Sequence, residues 1–200
     1  NVLPAEAQVV NGWIRNSDFD IRAHREIEAS LLGDRQMRFL EEWVADWSQS
    51  YLKVVLSQTN FAAVHTIPES APSGEVLPGL PMPEPGAYVE GDKLSVDMDT
   101  NGWPAARRDE VVRLLRKASA FHIAGDQHLA TMIRYGVDDF RDAGWAFTGP
   151  ALNNLWPRRW WPPRALRVRP LGEGEHPDYT GDFRDGFNNR VTMLAAANPR

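Results

Sequence analysis

An amphipathic helix that delivers the chain into a short apolar strand occurs twice in this sequence, and that repetition narrows the fold more than any other feature. In the first copy Met37, Leu40, Val44 and Trp47 recur at spacings of three and four, and Trp43 widens the stripe. Arg35, Arg38, Glu41, Glu42 and Asp46 fall mostly outside it, the pattern of a helix packed on one face. Asp34 is placed to cap this helix, and Leu52-Lys53-Val54-Val55-Leu56 follows as a short β-branched run, a buried strand. In the second copy Pro104 opens a helix with Val111, Leu114, Leu115 and Ala118 on its apolar face. Arg107, Arg108, Arg113, Arg116 and Lys117 are expected to face water, and the helix leads into a strand over 120–125. Helix, strand, loop, helix, strand predicts an α/β layered fold. With 200 residues, 42% of them apolar, the chain can bury a full core as one domain spanning 1–200.

The rest of the sequence fits around these pairs. Residues 1 to about 21 read as an extended lead-in with a strand stub at Val9-Val10, and Ile21 to Leu32 as a short helix closed by Gly33. Residues 66–92 hold Pro68, Pro72, Pro78, Pro81, Pro83 and Pro85, which makes them a loop excursion and not a helix or central strand. Leu129 to Arg134 reads as one or two helical turns. Gly144 to Thr148 and Arg190 to Ala197 read as strands, with polar, Gly-rich turns over 170–190 between them. Trp43, Trp47, Trp103, Trp145, Trp156, Trp160 and Trp161 lie where large cores or aromatic clefts are built.

Several kinds of function are disfavoured by what the chain lacks. It has no cysteine, so thiolate chemistry and disulfides are excluded. A net charge of -5 offers no basic stripe for nucleic acid, although Arg158, Arg159, Arg164, Arg167 and Arg169 crowd one region that could meet an anion. No apolar run approaches about 18 residues, so no membrane span is expected. Neither a G-x-S-x-G elbow nor a phosphate-cradling glycine loop occurs, and Ser57 has no motif of base and orienter near it in sequence. The acids Asp97 and Asp99 before Asn101 do not fall at calcium-loop spacing. A start at Asn1, without Met, and an end at Arg200 straight after a strand suggest a piece of a longer polypeptide.

One stretch carries candidate chemistry. Phe121-His122-Ile123-Ala124 reads as a strand covered on both faces, Gly125 permits a turn, and Asp126 and His128 follow two apart. If the backbone stays extended there, both side chains project to one side at a strand end, where sites of layered α/β folds gather. A carboxylate beside an imidazole suits Zn, Fe, Mn or, less well, Ca. A second reading stays open, in which Asp126 caps a helix starting near Leu129 and His128 is solvated. His122 is expected to be a packed strand residue and His65 a loop or core-edge residue. Gln58 and Asn60, in the polar run after the first strand, could touch a ligand or simply satisfy backbone at a turn.

These residues also resemble a family. The runs 124–130, Pro157-Arg158-Arg159-Trp160-Trp161-Pro162, Leu32-Gly33-Asp34-Arg35-Gln36 leading to 52–59, and Asp99-Thr100-Asn101-Gly102-Trp103-Pro104 look like those of the PhoD-like (alkaline phosphatase D type) metallophosphatases, over most of 25–200. The resemblance implies part of a calcineurin-like layered αββα sandwich, namely the carboxyl-terminal portion of a metallophosphatase domain. It implies phosphoester hydrolysis, by a phosphatase or phosphodiesterase, assisted by two metal ions drawn from Fe, Ca, Zn or Mn, with Asp126 and His128 as metal ligands and catalytic residues. Arg158, Arg159 and Asn154 are candidate substrate contacts. The family's amino-terminal D-x-H-like, G-D-x-x-D-like and N-x-D-H-like motifs are missing from this chain. A complementary amino-terminal chain or segment is therefore expected as partner, covering apolar surface that this chain exposes alone. The resemblance further implies an exported protein. The competing expectation is a non-catalytic binding or structural subunit with a vestigial metal site.

Overall fold

The computed structural model describes residues 25–70, 92–97, 100–152, 158–162 and 181–198. The lead-in with Val9 and Val10, the centre of the Pro-rich excursion, Asn154, Trp156 and the arginines at 164, 167 and 169 lie outside them.

Helix α1 runs Asp34–Ala45; its cap position is held by Gly33 and not by the expected Asp34, and Gly33 N–H donates to Gln36 Oε1 at 3.0 Å. Its far end is tied down by Lys53, which is buried, donates to the carbonyls of Trp43 and Asp46 and lies over the rings of Trp43 and Trp47. Strand β1 (Val54–Leu56) follows. Two short strands, β2 (Thr66–Ile67) and β3 (Lys93–Leu94), pair antiparallel and pin the two ends of the Pro-rich excursion together. Helix α2 (Ala105–Lys117) then leads into β4 (Phe121–Ala124), β5 (Ala130–Tyr135), β6 (Trp145–Thr148), β7 (Gly181–Arg184) and β8 (Arg190–Ala197).

Among the described residues the main sheet has six strands in the order β1-β4-β6-β5-β8-β7. β1, β4 and β6 are mutually parallel, and β5, β8 and β7 continue the sheet antiparallel, with a bulge on β8 opposite Met132 and Ile133. This is a mixed α/β fold, as the repeated helix and strand pairs predict. One face holds Ala146, Ile133, Tyr135, Met193, Val191 and Phe183, which join Val111, Val112, Leu114 and Leu115 of α2 and Val44 of α1 in a single core. Trp160 and Trp161 complete it.

Five expectations are corrected. The stretch expected as helical turns over 129–134 instead leads into strand β5 (Ala130–Tyr135), where alternate residues Thr131, Ile133 and Tyr135 are buried, the period of a strand. The described residues 25–33 are irregular and not helical; Arg25 is held by ion pairing to Asp109 and by the carbonyl of Asn188. β4 is covered on one face only: Ile123 is 43% exposed, as are Val54, Leu56 and Trp145 to comparable or greater degree on the same face. Among the described residues β1 is accordingly the edge strand of the sheet and not a buried one. Finally Arg108 does not face water. It is fully buried, donates Nε–H to Phe61 O at 3.0 Å and Nη1–H to Gly136 O at 2.7 Å, pairs with Asp109 and lies over the Tyr135 ring.

Candidate functional site

Because β1, β4 and β6 are parallel, their carboxyl ends meet at one rim of the sheet, and three turns converge there: Ser57–Asn60, Gly125–Leu129 and the residues after Thr148. Their backbones are bonded to one another. Gly125 N–H donates to Gln58 O at 3.0 Å, and Gly149 N–H to Ala124 O at 2.9 Å. Side chains add to this: Gln127 Nε2–H donates to Thr59 Oγ1 at 2.8 Å and Asn60 Nδ2–H to Thr148 Oγ1 at 3.0 Å.

The backbone does not stay extended past Gly125. Asp126 has φ 65° and His128 φ 52°, both left-handed, a conformation that disfavours residues with a side chain and gathers at functional sites. Two such residues within one turn, flanking a buried Gln127, lift the Asp126 carboxylate to the surface and leave His128 half-buried. Gln58 Nε2 reaches Asp126 Oδ2 at 3.4 Å, a long contact that steadies the carboxylate without enclosing it. His128 Nδ1 and Gln127 Oε1 are buried atoms with no hydrogen-bond partner. An unpartnered imidazole nitrogen two residues from an exposed carboxylate is a donor pair whose chemistry suits a metal ion. No helix starts near Leu129, so Asp126 caps none there. Among the described residues no group of three or more His, Asp or Glu gathers to hold a metal, so the pair is at most part of such a centre.

Of the polar run after β1, Gln58 faces Asp126, whereas Asn60 is buried and structural: its Oδ1 accepts the Ala62 N–H at 3.1 Å. Of the arginines expected near an anion, the two described ones, Arg158 and Arg159, are engaged inside the protein. Arg159 makes a two-pronged pair with Asp92, Nε to Oδ2 and Nη2 to Oδ1, each 2.8 Å. Arg158 Nη1 donates to His65 Nε2 at 2.5 Å while Nη2 lies 3.4 Å from Asp97 Oδ2. That contact makes His65 Nε2 the lone-pair nitrogen, and burial together with Arg158 pushes the His65 pKa well below its ordinary value.

Sequence spacing missed a second constellation, because its members come from separate elements. Ser57 Oγ lies 2.6 Å from His122 Nε2, and His122 Nδ1 lies 2.8 Å from Tyr135 Oη. Ser57 thus does have a histidine and an orienting group in space. The Ser57 hydroxyl nevertheless donates to Thr59 O at 2.5 Å, which fixes its oxygen as an acceptor towards His122 and makes the arrangement unsuited to nucleophilic attack. His122 is a packed strand residue, as its place within β4 predicts.

The fold and the site define an α/β protein with a carboxylate and imidazole pair at the carboxyl ends of parallel strands. The sequence profile of the PhoD-like phosphatase family matches residues 5–158, and the chain belongs to that family. A solved structure titled "Structure of PhoD" aligns with 62% of this chain at 19% identity and a TM-score of 0.38, and the chain spans 21% of that protein's length. Among curated proteins none matches the chain.

Proposed function

We propose that this chain forms part of a metal-dependent phosphoester hydrolase in which Asp126 and His128 supply two ligands of the metal centre. The observation that carries the reading is the turn itself. Asp126 and His128, on either side of Gln127, each hold left-handed backbone, at a cost of order 1–3 kcal/mol each. What the turn gains is an exposed carboxylate, met only by the long Gln58 contact, two residues from an unpartnered imidazole nitrogen at the rim where three parallel strands end. Membership of the PhoD-like phosphatases supports phosphoester hydrolysis as the reaction class.

Metal ions held there would supply Lewis acidity, lowering the pKa of water and neutralising charge on phosphoryl oxygens. This chain's own residues do the holding. Gln58 steadies Asp126, Gln127 anchors the turn to Thr59, and the sheet keeps both ligands on one rim. Arg158 and Arg159 take no part in this reading, since His65, Asp97 and Asp92 engage them. The remaining metal ligands belong to a complementary amino-terminal segment, and the open apolar face of the sheet, with Val54, Leu56, Ile123 and Trp145, is where such a segment would pack.

The test is metal analysis and hydrolysis of nitrophenyl phosphate mono- and diesters by the protein containing this chain with its amino-terminal segment. Asp126→Asn and His128→Ala should each lose bound metal and more activity than the about 10–100-fold typical of changes around a ligand. Full metal content and activity in both variants rejects the assignment. A wild-type protein that assembles without stoichiometric metal points instead to a non-catalytic binding or structural subunit.

A further inference from the structure

A buried hydrogen-bonded chain lies beneath the strand-end turns, and ligation by Asp126 and His128 makes no use of it. Phe61 N–H donates to Tyr135 Oη at 3.0 Å, Tyr135 Oη lies 2.8 Å from His122 Nδ1, His122 Nε2 lies 2.6 Å from Ser57 Oγ, and Ser57 donates to Thr59 O. His122 and Tyr135 are 1% and 2% exposed, so water does not substitute for a missing partner. The network assigns the protons. With the Ser57 hydrogen on Thr59 O, Ser57 Oγ needs a donor, which is His122 Nε2–H, and Nδ1 is then the lone pair that accepts from Tyr135. The opposite tautomer leaves the Tyr135 hydroxyl hydrogen without an acceptor and two lone pairs facing each other at Ser57. Burial agrees with a neutral ring, holding the His122 pKa down to about 4 and raising that of Tyr135.

The chain ends on the turn that touches the candidate ligands. Thr59 O accepts from Ser57, Thr59 Oγ1 accepts from Gln127, Gln58 O accepts from Gly125, and Gln58 Nε2 meets Asp126. We propose that His122, as its neutral Nε2–H tautomer, is a positioning residue that locks the Ser57–Asn60 turn through Ser57 and so fixes the turn carrying Asp126 and His128. Its consequence for metal binding rests on the proposed function, whereas the positioning itself does not.

Two readouts in the full-length protein separate these. Without metal, nitrogen NMR should find His122 protonated at Nε2 only at pH 7. Amide exchange over 57–60 and 125–128 should quicken by about 10-fold or more in Ser57→Ala and His122→Phe, for a loss of about 1.4 kcal/mol or more. His122→Gln, whose amide can still donate to Ser57, should recover most of that protection. A charged or Nδ1-protonated His122, or unchanged exchange in Ser57→Ala, overturns the proposal. Titration with Mn²⁺ reads the consequence: Ser57→Ala should bind about 10–100-fold more weakly, with Asp126→Asn weaker still. Affinity that Asp126→Asn lowers and Ser57→Ala leaves untouched also overturns it. Affinity that neither variant lowers counts against Asp126 as a ligand, while the exchange data still decide the positioning.

Discussion

At the scale of single residues, His122 and His65 bind protons less readily when folded than when unfolded. An unfolded histidine takes up a proton near pH 6.5, whereas His122 in the core resists it down to about 4, and His65 is depressed for the same reason, burial, with Arg158 adding to it. Across that window the unfolded state holds more protons, so stability is full above pH 6.5 and falls as pH drops towards 4. For His122 the shift corresponds to about 3 kcal/mol. Denaturant midpoints measured from pH 7 to pH 4 should therefore slope less steeply in His122→Gln than in the wild type; equal slopes would remove His122 as a source. Asp185 works oppositely, since burial raises its pKa and its contribution is lost as pH rises above the ordinary carboxylate range. Arg108 shows how a residue misleads by its type. It stands three and four positions before Val111 and Val112 on the buried stripe of α2, so the helical period includes it, yet its charge argues for water. The neighbouring Asp109 carboxylate, together with the carbonyls of Phe61 and Gly136 brought in from elsewhere, makes its burial tolerable.

At the scale of elements, the turn between β7 and β8 is built around Asp185, which accepts from Phe187, Asn189 and Ala63 backbone N–H groups at 2.8–3.0 Å. The tightness of this turn leaves no room at Gly186, where a Cβ would come within 2.2 Å of Ser95 O. Gly186→Ala should destabilise the protein by about 1–3 kcal/mol, as overpacking does, measured by thermal or urea unfolding. Stability within about 0.5 kcal/mol of the wild type would mean that the 95–97 segment yields freely. The two helices and strands β1, β4, β6 and β8 were legible, because long apolar stripes and β-branched runs carry their own period. β5 was not. Leu129-Ala130-Thr131-Met132-Ile133-Arg134 mixes good helix formers with strand formers, and pairing to β6 and β8 decides it. β7 was missed as well, since Gly181-Asp182-Phe183-Arg184 has one apolar residue and pairs only with β8 at the sheet edge.

At the scale of the whole molecule, the helices and core load one face of the six-stranded sheet, and the other presents Val54, Leu56, Ile123 and Trp145, with Phe121 stacked on Phe147 at 4.6 Å between ring centres. Among the described residues no helix is long and apolar enough to cross a membrane. Such an open apolar face favours association. Ile123→Lys should change the stability of the isolated chain by no more than about 0.5 kcal/mol while reducing its self-association in sedimentation. A large loss of stability would mean that the face is covered within this chain. The sequence by itself determined the α/β class, the helix and strand pairs and the G-D-x-H candidate, because hydrophobic period and residue chemistry are local properties. The tertiary structure alone decided that Asp126 and His128 sit in left-handed backbone, that Gln58 and Gln127 brace them, that Arg158 and Arg159 turn inward, and that Ser57, His122 and Tyr135 form one proton-ordered chain. Each of these depends on which strand ends lie side by side. Strand order is set by long-range packing, for which no short stretch of sequence carries a signal.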